Sequence, residues 1–243
     1  MYECNHRITY YDLDFRGQVK LSAILRMVHI AADVNANELG IGFAVLHPLN
    51  ISFVLQRFGL KITRMPVYDE VVTIRTWPAE MARGTFIRKG DMYSQIGEKL
   101  MEWASLWILF DIAERKILKP SALPVEVPTM TEISVNISPE KIVLPDNLQP
   151  LSEHIHTVRY ADIDTNMHMN NSIYGDLIGN AAFHNLDSNS QNWHEVQINY
   201  LGETLPGDEI KITAAKGSDT CFIAGYAGDR CSFTAKIIAQ ASS

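Results

Sequence analysis

The stretch Asp162-Ile163-Asp164-Thr165-Asn166-Met167-His168-Met169-Asn170-Asn171-Ser172-Ile173-Tyr174 decides how this chain is read, because a weaker copy of it stands near the N-terminus. There Asp12-Leu13-Asp14 continues through Gly17, Gln18, Val19, Lys20, Leu21 and Ser22, and Asp162 falls on Asp12 at an offset of 150 (162 − 12). Read as extended chain, in which side chains alternate with period 2, Asp164, Asn166 and His168 share one side and form a candidate catalytic ladder. In the N-terminal copy Arg16 faces Asn166 and Gln18 faces His168, so the frame is kept and the chemistry is lost. The expectation is two similar halves with one armed site. An isolated Asp-x-Asn-x-His also reads as a polar turn capping a helix, with Asn170 or Asn171 as N-cap.

Working outward, Val19 to Leu39 carries Leu21, Ile24, Leu25, Val28, Ala31 and Ala32 at helical spacing, which predicts a long, mostly buried helix. Strand-like runs follow at 51–62, 70–77, 83–94 and 100–112, punctuated by Pro66, Gly84 and the turn Gln95-Ile96-Gly97-Glu98. The second half repeats the order: the motif, a helix from Asn171 to Asn185, then runs at 194–201, 209–215, 219–227 and 231–239, with a turn at Gly228-Asp229-Arg230. Asp69-Glu70-Val71 also resembles Asp208-Glu209-Ile210, at an offset of 139 (208 − 69). Prolines 120, 124, 128, 139, 145 and 150 fall in one polar stretch, which reads as a linker. Two helix-then-sheet units imply an α+β fold: residues 1–125, a Pro-rich linker at 126–152, and 153–243.

With 47% hydrophobic residues, 243 residues supply ample core. No stretch approaches the roughly 18 apolar residues of a membrane span, and Met1 to Arg7 lacks the apolar segment of a signal peptide, so a soluble cytoplasmic protein is the expectation. Cys4, Cys221 and Cys231 have no metal-type spacing and read as free thiols. The net charge of −7 argues against nucleic-acid binding. Residues 57–89 run the other way: Arg57, Lys61, Arg64, Arg75, Arg83, Arg88 and Lys89 oppose only Asp69, Glu70 and Glu80. That segment is either a docking surface for an acidic partner or the solvated face of a sheet. Asp162-x-Asp164-x-Asn166 imitates a calcium loop but has Met167 where glycine is needed and Ile173 where glutamate should close the site. His154-x-His156 lacks a third ligand, and no serine elbow, phosphate loop or dinucleotide fingerprint occurs, so no metal or cofactor is expected.

Asp164-x-Asn166-x-His168-x-Asn170-Asn171, then a helix, then Glu203 35 residues beyond the histidine (203 − 168), resembles the acyl-acyl carrier protein thioesterases of plants and bacteria. The opening repeat, Thr63-Arg64-Met65-Pro66, Asp69-Glu70-Val71, the Trp103 to Phe110 strand and the linker follow the order of that family. The resemblance implies a double hotdog fold, each unit a curved antiparallel sheet around a long helix. It implies hydrolysis of the thioester that joins a fatty acyl chain to carrier-protein phosphopantetheine, with the active site mainly in the C-terminal half; the N-terminal half, whose copy of the motif is degenerate, is then expected to contribute chain specificity. Plant members commonly place a cysteine after the downstream glutamate, where this chain has Thr204, and Gln and Val where it has Met167 and Met169.

On that resemblance Glu203 is the general base for water and His168 shares proton transfer. Asn166 supplies an amide donor, and Asp164 either orients the network or attacks directly through a mixed anhydride. Asn170, Asn171 and the start of their helix contribute polar contacts and N–H donors. Leu25, Val28 and Phe43 are candidates to line the acyl pocket. Arg57, Lys61, Arg64, Arg83, Arg88 and Lys89 are candidates to dock the acidic carrier. An acyl-coenzyme A thioesterase and a non-catalytic acyl-lipid-binding module are the competing readings. Chain length stays open, as does pairing into a homodimer.

Overall fold

The computed structural model describes residues 1–82, 84–145, 151–185, 193–217 and 219–239. In chain order the elements are β1 (Tyr2–Arg7), α1 (Leu21–Glu38), the one-turn α2 (Phe43–Leu46), β2 (Ile51–Ile62), β3 (Val71–Pro78), β4 (Phe86–Ser94), β5 (Lys99–Asp111) and the short β6 (Lys116–Leu118). The second half has β7 (Ser152–Thr157), α3 (Asn171–Asn185), β8 (Trp193–Tyr200), β9 (Glu209–Lys216), β10 (Thr220–Ala227) and β11 (Arg230–Ala239). No helix among the described residues is long and apolar enough to cross a membrane.

Both halves build the same antiparallel sheet. The first has the order β1-β3-β4-β5-β2, with β6 paired to the end of β5, and the second has β7-β9-β10-β11-β8. In each, the opening strand lies at an edge and the helix follows it in sequence, which is the hotdog arrangement. By compactness the units are Met1–Tyr10 with Arg26–Pro139, and Tyr11–Leu25 with Glu140–Ser243, so the N-terminal copy of the motif belongs to the second unit.

The sequence periodicity missed β1 and β7, and for β7 the reason is the chemistry of its inner face. In β7 the inward positions are Ser152, His154 and His156 while Ile155 points out and is exposed, so no apolar alternation marks the strand. The second repeat also needs correcting by one residue. The amide of Asp69 donates to Ile8 O as that of Gly207 donates to Val158 O, and Asp69 and Gly207 both have positive φ, which sets the offset at 138 (207 − 69).

The first unit's core joins Val28 and Ala31 of α1 to Phe58, Leu60, Val72, Ile74, Met92 and Trp103 of the sheet. Polar groups also sit on this inner surface. Arg88 donates from Nη1 to Asn35 Oδ1 (2.9 Å) and Thr76 Oγ1 (3.3 Å), and the His29 ring stands edge-on to Phe58 and Trp107. The segment expected as a linker has no helix or strand at 123–145 yet is pinned, and residues 146–150 lie outside the described part. In the first unit the Asn136 amide donates to buried Glu102 (3.0 Å). In the second, the amides of Glu140 and Ile142 donate to the side-chain oxygens of buried Gln197 and Asn199 (3.0 and 2.9 Å).

In the second unit α3 carries Tyr174, Leu177, Ile178 and Ala181 into a core with Val196, Ile198, Ile210, Ile212 and Phe233. Gly175 lets the start of α1 come close: a Cβ there would stand 2.7 Å from Ser22 N and 2.8 Å from Ser22 Cα. The Ser22 hydroxyl donates to the Asp176 carboxylate beside this contact.

Gly175→Ala therefore sets about 1 kcal/mol of gained helix propensity against a backbone clash, and overpacking costs about 1–3 kcal/mol. A net loss of stability in denaturant unfolding is the expected result. His29 gives a pH signature. The residue is half-buried, but Nε2 is sealed off without a partner and burial lowers its pKa to about 4 from 6.5. Below pH 6.5 the unfolded chain takes up a proton that the native state refuses, so stability falls as pH drops from 6.5 to 4, by at most about 3 kcal/mol. His29→Phe, measured by urea unfolding across that window, removes this slope.

Candidate active site

The armed motif is a turn. The Asp164 carboxylate accepts the Asn166 amide (2.8 Å), the Asp164 carbonyl accepts the Met167 amide (3.0 Å), and the Asp164 amide donates to the His168 carbonyl (3.0 Å). Ile163 and Met169 bridge across its base. The extended ladder is thus corrected: Asp and Asn favour local side-chain bonds to the backbone, and these reverse the chain between Asp164 and His168. Met167 sits at φ 63°, a left-handed conformation costly for a side chain.

The N-terminal copy repeats these three bonds and adds one, from the Gln18 amide to Asp14 Oδ1 (3.0 Å). Asp14 Oδ1 accepts the Arg16 amide (2.8 Å), Asp14 O accepts the Gly17 amide (3.0 Å), and Asp14 N donates to Gln18 O (2.8 Å). Gly17, at φ 78°, occupies the place of Met167. The Arg16 guanidinium folds back onto Asp14 and lies against both the Phe15 and Phe183 rings, which pack edge to face on each other, where the armed turn presents Asn166 to solvent.

The turn feeds α3 through an N-cap. Asn170 Oδ1 accepts both the backbone amide (2.9 Å) and the hydroxyl (2.7 Å) of Ser172. The Ser172 amide is therefore consumed locally, and the helix start offers a substrate fewer free donors than its N-terminus would suggest. The Asn171 carbonyl accepts the Tyr200 hydroxyl (3.4 Å). Nearby, Asp162 receives His156 Nε2 and the Arg159 amide, both at 2.9 Å, an arrangement that the sequence did not signal.

Glu203 reaches the motif from the irregular segment after β8. The Met169 amide donates to the Thr204 carbonyl (2.9 Å), which brings the residues preceding each, His168 and Glu203, alongside one another. His168 Nε2 and Glu203 Oε2 are 3.4 Å apart, with side chains 35% and 32% exposed, so the pair is fixed at its root and open at its tip. That distance is long for a working hydrogen bond, as is usual before substrate binds.

Thr204 is wholly buried, and its hydroxyl is 2.9 Å from that of Tyr174 on α3. Tyr174 was not among the expected site residues. Burial pushes its phenol pKa up, so it holds its proton, and its ring packs edge-on against Tyr200 and Phe233.

The other expected residues are dispersed. Leu25 and Val28 are core positions of α1, while Phe43 is about half exposed and stacks on His47. Arg64 is engaged by Glu70 and Glu98 (2.9 and 2.8 Å), and Arg88 is turned toward α1. Arg83 lies outside the described residues. Arg57, Lys61 and Lys89 remain partly exposed on the first sheet. Lys61 stands in a cross-strand row of charged residues with Glu102, Asp91, Arg75 and Glu3.

Residues 1–122 match the model of the acyl-ACP thioesterase N-terminal domain, and residues 147–241 that of the acyl-ACP thioesterase C-terminal domain. A chloroplastic palmitoyl-acyl carrier protein thioesterase of Gossypium hirsutum is 28% identical over 155 residues, which is 58% of this chain. The match spans 36% of that relative's length. In structure, the chain is similar to an acyl-ACP thioesterase from Bacteroides thetaiotaomicron VPI-5482, with a TM-score of 0.85, 20% identity, and 98% and 97% of the two chains covered. It is also similar to the 12:0-ACP thioesterase from Umbellularia californica, with a TM-score of 0.82, 16% identity, and 98% and 96% covered. These likenesses establish the double hotdog fold.

The cysteines yield a prediction. Burial raises the thiol pKa of Cys4 and Cys231, and that of Cys221 to about 11. At pH 7 a thiol with a pKa of about 11 is thiolate in roughly one molecule in ten thousand. Slow alkylation by iodoacetamide is expected at all three. A Cys4→Ser, Cys221→Ala, Cys231→Ser protein should retain its turnover, and abolition of activity in a folded triple variant would show that a thiol does the chemistry.

Proposed function

The chain belongs to the acyl-ACP thioesterase family, and from that premise we propose that it hydrolyses fatty acyl-acyl carrier protein to free fatty acid and carrier protein. The observation that carries the mechanism is the pairing of His168 with Glu203 on a rigid turn, open to solvent at its tip. Glu203 takes a proton from water as the water oxygen attacks the thioester carbonyl carbon. The side-chain amide of Asn166 donates to the oxygen that gains charge. Collapse of the tetrahedral intermediate breaks the carbon–sulfur bond, and His168 relays the proton to the departing sulfur. The products are a carboxylic acid and the phosphopantetheine thiol, so atoms and protons balance with one water consumed. No cofactor is needed, because a thioester carbonyl is already electrophilic and a thiolate leaves readily.

Asp164 fits the orienting role better than direct attack. One of its oxygens is spent on the Asn166 amide, and its backbone makes both other bonds of the turn, so it fixes the groups beside it. The N-terminal unit is assigned acyl-chain specificity, with Val28 in its core as a candidate wall. The acidic carrier is assigned to Arg57, Lys61 and Lys89, which stay partly exposed on the first sheet. Each buried methylene contributes about 0.8 kcal/mol, which lets pocket depth select chain length.

Thiol release from acyl-carrier substrates of graded length, beside the same acyl groups on coenzyme A, tests the reading. Glu203→Gln and His168→Ala are each expected to lower kcat by about 100-fold or more, within the usual range for loss of a general base. Faster turnover of carrier-bound than coenzyme-bound substrate is expected, and the difference should shrink at high salt. Wild-type kcat in a folded Glu203→Gln variant would eliminate the glutamate as base.

A further inference from the structure

Resting on the reading of Glu203 as base, we propose that Tyr174 is a positioning residue for the Glu203 carboxylate, acting through the buried hydroxyl of Thr204. Glu203 follows β8 in an irregular segment that is pinned on both sides: before it the amides of Leu201 and Gly202 donate to Ser232 O (2.9 and 3.2 Å), and after it stands Thr204. Thr204 is clamped twice, its carbonyl by the Met169 amide (2.9 Å) and its hydroxyl by Tyr174 (2.9 Å), and it has no exposed surface.

The two clamps come from the two sides that must agree for the site to work. Met169 follows His168 directly and sets the separation of the two segments. Tyr174 lies on the first turns of α3, with its ring held edge-on by Tyr200 and Phe233 at 5.2 Å each, so its hydroxyl is a fixed point. The backbone bond alone leaves the Thr204 side chain free to rotate and the peptide beside it free to tilt. The tyrosine bond removes that freedom next to the residue that must meet His168. The 3.4 Å gap between Glu203 and His168 leaves little tolerance, and a displacement of about 1 Å at a reacting group can cost up to about a hundredfold in rate.

Thr204 stands where plant relatives place cysteine, and here its hydroxyl is committed to a buried bond with Tyr174, so its part is positional. A hydroxyl is what that position requires. Serine should serve, and valine, of the same shape, should not.

The test is steady-state kinetics on acyl-carrier substrate with Tyr174→Phe, Thr204→Val and Thr204→Ser, each also built on Glu203→Gln. Tyr174→Phe and Thr204→Val are expected to lower kcat about tenfold with KM within about twofold of wild type, while Thr204→Ser stays near wild type. On the Glu203→Gln background neither should lower kcat further, because the group they position is already gone. Full kcat in Tyr174→Phe and Thr204→Val, or losses that multiply with that of Glu203→Gln, would overturn the proposal. If Glu203→Gln is itself silent, the base assignment falls first, so the two failures are told apart. Should Tyr174→Phe fail to fold by circular dichroism, the contrast of Thr204→Ser with Thr204→Val decides alone.

Discussion

One backbone hydrogen bond, from the Met169 amide to the Thr204 carbonyl, is the constraint on which the candidate site depends. It joins segments 35 residues apart in sequence (204 − 169), and neither lies in a strand of the sheet. A main-chain bond between loops is a modest interaction, worth about 1 kcal/mol net, and would not survive alone. It persists because both ends are anchored separately. The Asp164 turn and the Asn170 cap hold Met169, and Tyr174 with the surrounding aromatic rings holds Thr204. The side chains that do chemistry need only short tethers from these fixed roots.

The duplicated turn separates scaffold from chemistry. At offset 150 the same backbone bonds recur, and the same aspartate accepts the same amide, yet one copy carries Asn and His where the other carries Arg and Gln. The scaffold requires an acceptor at Asp14 or Asp164 and a left-handed residue three positions on. Gly17 meets the second demand without strain, and Met167 meets it at a cost of about 1–2 kcal/mol. Strain tolerated in the armed copy and absent from the idle one marks where the surrounding structure over-determines a backbone conformation.

Much of the fold was legible because it is written in apolar periodicity. The α1 stripe and the eight long strands follow from it, and the edge strand β7 escaped because Ser152, His154 and His156 put polar groups inward. Charge counting along the chain could not tell faces apart. Arg64 and Arg88 looked alike in sequence, yet one is neutralised between two glutamates and the other bonds Asn35 and Thr76 beneath a helix. The linker looked loose because its prolines exclude regular structure, and the buried amides that hold it, Gln197 and Asn199, sit in a strand more than 50 residues away.

The site was legible in part, and the division has a physical cause. Asp, Asn and His close together in sequence suggest shared chemistry, but the face each presents depends on backbone conformation, and turn-forming residues favour reversal over extension. The aligned Gly17 held the clue, since a glycine three residues after an aspartate signals a left-handed position, and its counterpart Met167 had to adopt the same conformation. No local rule could bring Glu203 to His168. That approach depends on a long-range backbone bond, and only the family spacing pointed to it. Tyr174 was invisible for the same reason: on a helix it reads as one more core aromatic. What makes it matter is a threonine 30 residues away (204 − 174) that is buried and needs a partner for its hydroxyl.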